Sequence, residues 1–101
     1  EDIKMMKAKK VEVEIVEGEG LVALLGKRVL LMCANYFYEG ILEGVNGECV
    51  ALGDPGIVYE TGPWSSDKWR DRQALGISTH YIMKNAIESF GAFEKSPKGQ
   101  S

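Results

Sequence analysis

A chain of 101 residues has room for one hydrophobic core and excludes a second domain. Hydrophobic residues at 45% and charged residues at 27% exclude a disordered or coiled-coil chain. A net charge of −3 with mixed signs excludes the global basic footprint of a strong nucleic-acid binder. A single core this small is marginal alone, so self-association is a natural supplement.

Residues 1–10 form a charged arm, with Lys4, Lys7, Lys9 and Lys10 scattered among Met5, Met6 and Ala8. Residues 11–17 alternate apolar and acidic side chains, the period of a strand with one buried and one wet face. Its glutamates discourage edge pairing and repel phosphate. Gly18 and Gly20 end it without the rest of a phosphate-binding loop. Residues 21–25 make a helical turn or a short apolar segment closed by Gly26, and residues 27–33 read as a buried strand.

Asn35 supplies a turn before the longest strand, residues 36–45. There Tyr38 and Leu42 share one face and Glu39 and Glu43 the other. Gly40 and Gly44 allow a sharp bend on the Tyr38 side. Tyr36, Phe37 and Tyr38 are consecutive, so at least one projects outward. Asn46-Gly47 predicts a tight hairpin with positive φ at both residues. A strand over 48–52 follows, then a turn or bulge at Asp54-Pro55-Gly56, and β character over 57–61.

Residues 62–76 are the longest irregular stretch, within which 67–75 fit a short helix capped by Ser66 and closed by Gly76. Residues 77–83 and 86–90 are the last strands, separated by Lys84-Asn85, and residues 96–101 form a polar, disordered tail. The expected organisation is therefore an arm over 1–10, one domain over 11–95 and a tail over 96–101. The expected fold class is mainly β, a small bent barrel too narrow to hold a ligand inside.

Gly26-Lys27-Arg28-Val29 followed by residues 38–46 (Tyr-Glu-Gly-Ile-Leu-Glu-Gly-Val-Asn) resembles the first motif of the Sm/LSm-like (Hfq-like) family. Gly40, Leu42 and Val45 fill the family's slots in a bent second strand, and Asn46 stands where Asp is usual. Residues 81–87 resemble the second motif, which joins the last two strands. The likeness covers residues 20–92 and is nearest in flavour to phage-encoded Sm-like proteins. It implies a strongly bent five-stranded barrel with a short N-terminal helix; the strand over 11–17 is an addition. It also implies a cyclic homo-oligomer paired edge to edge and a role on single-stranded RNA.

The resemblance places the oligomer interface at Tyr81, Ile82, Met83, Ala86, Ile87, Ser89 and Phe90. It places RNA contacts at Asn46, Lys84 and Asn85. Apart from the resemblance, an outward aromatic among Tyr36, Phe37 and Tyr38, or the loop of Trp64 and Trp69, is the expected stacking surface. The alternative for the three aromatics is a half-buried strand start. The family's base-binding Asn is Val50 here, and its Arg-Gly pair becomes Met83-Lys84 or Lys84-Asn85 according to register. A cation survives, but the planar guanidinium that stacks on a base does not. Binding is therefore expected to be weak, and the alternative is an oligomeric scaffold or virion-associated assembly module without RNA.

Trp64, Trp69, Arg70 and Arg72 interleave aromatic and cationic residues. Three readings stand: bases stacking there, protein-interface anchors, or a tryptophan that pins a loop to the barrel. His80, the sole histidine, has no nucleophile or partner in a recognisable pattern and reads as structural, so no enzymatic activity is expected. One His and the separated Cys33 and Cys49 give no metal-ligand spacing, and the cysteines read as buried thiols. No cofactor is implied. The absence of an apolar span or signal pattern makes a cytoplasmic setting without membrane contact the expectation.

Overall fold

The computed structural model describes residues 20–93 and residue 95. The arm, the strand expected over 11–17 and the tail over 96–101 lie outside the described residues. A 3-10 turn at Leu21–Leu24 leads into β1 (Arg28–Cys33), β2 (Phe37–Val45), β3 (Cys49–Glu60), β4 (Asp71–Ala74) and β5 (Thr79–Met83). A second 3-10 turn, Lys84–Ala86, joins β5 to β6 (Ile87–Ala92). All six strands belong to one antiparallel sheet in the order β4-β3-β2-β1-β6, and β5 ladders onto β3.

Strand β3 organises the sheet. Its first half pairs with β5 (Cys49↔Met83 to Gly53↔Thr79) and its second half with β4 (Gly56↔Ala74 to Glu60↔Asp71). The break between the halves is Asp54-Pro55, which has no partner opposite Gly40, because Glu39 faces Gly56 and Ile41 faces Gly53. Asp54 takes a φ of 47° there. The segment is a bulge in one continuous strand, the second of the two forms open to it in the sequence. A Cβ on Gly40 would lie 2.8 Å from the Gly53 carbonyl oxygen, so glycine lets β2 and β3 approach at the bend. The sheet curves so far that three residues join β5 at one end of the strand order to β6 at the other.

Strand β1 reads as nearly continuous apolar because both its faces are covered. Val29, Leu31 and Cys33 pack with Leu42, Val50, Leu52 and Ile82 on the inner side of the curve. Leu30 packs on the other side with Val58 and Trp69, flanked by Met32, Phe37 and Phe93. Trp69 is 0% exposed, so the connection between β3 and β4 is nailed onto the outer face of the sheet.

Two local expectations are corrected. Residues 67–75 are not a helix: Ser66 Oγ accepts from the Lys68 backbone N–H at 3.1 Å, a local turn, and Asp71–Ala74 become β4. Pairing with β3 satisfies that backbone and overrides the capping pattern. The β2–β3 turn has no positive φ at Asn46 or Gly47. Instead Asn46 Oδ1 accepts from the N–H groups of Glu48 (2.7 Å) and Cys49 (2.8 Å), so the side chain replaces a backbone carbonyl. Glu39, on the face opposite Tyr38 and Leu42, is buried at 1% exposure, which its sequence pattern does not announce.

Candidate functional site

The buried Glu39 is held by two arginines that sequence separation hides. Arg28 Nε donates to Oε2 at 2.7 Å and Arg72 Nε donates to Oε1 at 2.7 Å. Arg72 Nη2 also donates to the Asp54 carbonyl at 2.7 Å, and Arg28 Nη1 meets Asp54 Oδ2 at 3.2 Å. Hydrogen bonding to Glu39 raises the Arg28 guanidinium above its ordinary value. Arg72 reaches the carboxylate across Gly56, where a Cβ would fall 2.5 Å from the guanidinium carbon. This cluster ties β1, β2 and β4 together on the outer face of the sheet.

These partners decide most of the tryptophan–arginine segment. Arg72 is consumed by Glu39, with its side chain 4% exposed, and Trp69 is in the core. Neither is accessible to a base or a phosphate. For Trp69, pinning a loop is the reading that matches its place. Arg70 is exposed and pairs with Glu60 at 3.2 Å. Trp64 is exposed and stands edge-on to Trp69 at 6.2 Å between ring centres.

The structure does bring the two loops of the resemblance together. The Lys84 backbone N–H donates to the Glu48 carbonyl at 2.8 Å, so the β2–β3 turn lies against the β5–β6 linker. Asn46 and Lys84 thus share one end of the molecule, although the Asn46 side-chain oxygen is already occupied by its own turn.

Beside the linker, where the two ends of the curved sheet approach, a groove of about 490 Å³ opens. Cys33 to Tyr36 and Tyr38 line one wall, His80 to Met83 the other, and Asn85, Ala86 and Glu88 the end. Tyr38 and His80 stand 5.2 Å apart, and Tyr36 contacts both Tyr38 and Tyr59 edge-on at 6.2 Å. Tyr36 also lines a second groove, with Phe37, Val58 and Tyr59, and forms the ridge between the two. Burial raises the Tyr38 hydroxyl and the Cys33 thiol above their ordinary values, and Glu88 adds to the effect at Cys33. The first groove is rich in π-faces, yet among the described residues no Lys or Arg lines it and Glu88 does.

His80 and Tyr59 were not expected at this surface. The available signal was strand parity: His80 lies opposite Leu52, which directs it toward the inner side with Tyr38. Of the expected interface residues, Tyr81, Met83 and Phe90 are exposed, as are Ala86 and Ser89. Ile87 is half-buried, and Ile82 belongs to the inner core.

Among the described residues, no three His, Cys, Asp or Glu side chains gather as metal ligands, and both cysteines are free thiols. No described helix is long and apolar enough to cross a membrane. No family model matches the chain, and no curated protein matches it.

Proposed function

We propose that the chain is an Sm-like barrel whose work is assembly with copies of itself into a closed ring. One observation carries this reading: β5 and β6 are consecutive yet stand at opposite ends of the sheet, and among the described residues each is laddered on one side only. Two unpaired edges on one small domain are a template for pairing between copies. Setting aside the insertion that holds β4, five bent strands after a helical turn, ordered β6-β1-β2-β3-β5, support the five-stranded barrel that the resemblance implies. Pairing β5 of one copy with β6 of the next would bring exposed Tyr81 and Met83 beside exposed Phe90. Cyclic closure leaves neither the β5 nor the β6 edge free, whereas open pairing would grow without limit.

Sedimentation velocity of the full chain at micromolar concentration tests it. A single closed oligomer is expected, and Tyr81→Glu with Phe90→Glu should release monomers of unchanged far-ultraviolet circular dichroism. A wild-type monomer sinks the proposal.

Weak binding of single-stranded RNA is the second reading, favoured by the Tyr36, Tyr38 and His80 rings beside the Lys84 linker. It ranks second because Arg72 and Trp69 are taken up by the fold and the groove carries an acid rather than a cation.

A further inference from the structure

Lys95 follows β6 and is only 6% exposed, which is uncommon for a lysine, and among the described residues it makes no ion pair. An ammonium carries three N–H donors and no acceptor. The Lys95 Nζ donates to the carbonyl oxygens of Pro63 (3.3 Å), Trp64 (3.1 Å) and Ser66. The same Nζ stands 5.1 Å from the centre of the Trp69 ring, at cation–π distance. Three donors therefore meet three acceptors, and the remaining side of the charge meets an aromatic ring.

The host is built rather than incidental. The turn that supplies the carbonyls is closed by the Ser66 N–H donating to Pro63 at 3.0 Å, and Ser66 Oγ is fixed against Lys68. The Trp69 ring is fixed by the outer core, with Phe93 at 5.5 Å and Trp64 at 6.2 Å. Carbonyl dipoles converging on one point favour a compact cation. Methylating the nitrogen would remove a donor for each carbon added and so lose one of these charge-assisted hydrogen bonds.

We infer that the turn over 63–66, together with Trp69, is a binding site for a primary ammonium group, filled in cis by Lys95. Its occupation latches the end of β6, an edge strand, to the connection between β3 and β4. The site does not rest on the ring reading, since every contact lies within one chain.

Chemical rescue of the full chain tests it. In Lys95→Gly, amide hydrogen exchange over residues 62–70 should rise at least about tenfold, as the charge-assisted hydrogen bonds are lost. Added propylammonium should restore protection saturably, whereas tetramethylammonium at equal ionic strength should not. Lys95→Met, which keeps the length of the side chain but not the charge, should exchange like Lys95→Gly. Unchanged exchange in either variant, or equal rescue by the two ions, overturns the inference.

Discussion

Glu39 shows how a single charged residue is tolerated inside so small a core. Burying a carboxylate is costly unless it is paired and hydrogen-bonded, and here two guanidiniums bond both oxygens. Glu39→Gln removes the anion and leaves Arg28 and Arg72 facing each other across a neutral amide. The expected loss is about 3–5 kcal/mol of stability, read from urea unfolding. Replacing Arg28, Glu39 and Arg72 together by Met, Leu and Met should cost far less, because no unpaired charge then remains. A triple variant as unstable as Glu39→Gln would show that the charges stabilise by more than satisfying one another.

Cys33 and Tyr38 make a second residue-scale expectation, at alkaline pH. Both groups are raised above their ordinary values, chiefly by burial, so the folded state holds their protons longer than the unfolded chain does. Their contribution is complete below the unfolded values and is lost as pH rises through the folded ones. Stability should therefore begin to fall as pH passes the ordinary thiol value of 9.0, and Cys33→Ala with Tyr38→Phe should flatten that fall. Thermal melts at stepped alkaline pH check it. An unchanged slope in the double variant would contradict the assignment.

At the scale of elements, the outer face of the sheet depends on one side chain. Trp69 covers Leu30 and Val58 and carries the β3–β4 connection with it. Trp69→Ala should cost about 3–5 kcal/mol, the range for large aromatic truncation in a core. It should also open the segment 62–70 to limited proteolysis before the strands unfold. Cleavage no faster than in the parent would mean that Lys95 and β4 hold the segment without Trp69. Much of this scale was legible in the sequence, because β1, β2, β3, β5 and β6 carry their apolar runs, bend glycines and turn residues locally. Strand β4 was not legible, because residues 71–74 become a strand only through a ladder with β3, and their own pattern favours a capped helix.

For the whole molecule, the RNA reading yields an expectation that separates it from pure assembly. With Glu88 the charged residue among the described lining of the groove, affinity should rest on stacking and on phosphate contact at Lys84. Binding to short RNA homopolymers should be weak, fall steeply between two salt concentrations and discriminate little among bases. Lys84→Ala should weaken every sequence alike, and Tyr36→Ala should cost about 1–3 kcal/mol. Tight, salt-insensitive and base-selective binding would show that the groove reads sequence, and no binding at low salt would leave assembly as the sole reading.

The sequence by itself determined a mainly β chain with a bend at Gly40, a bulge or turn at Asp54-Pro55, and a short linker at Lys84-Asn85 between the last strands. Each of these depends on local preferences of a few adjacent residues, which a one-dimensional pattern carries. Only the tertiary structure decided that Arg72 belongs to Glu39, that Trp69 is core, and that Lys95 enters a ring of carbonyls. It likewise decided that Tyr36, Tyr38 and His80 meet in one groove. Most of those partners lie tens of residues apart and are chosen by strand register and by the desolvation of charge, and neither is written in the spacing of residues along the chain.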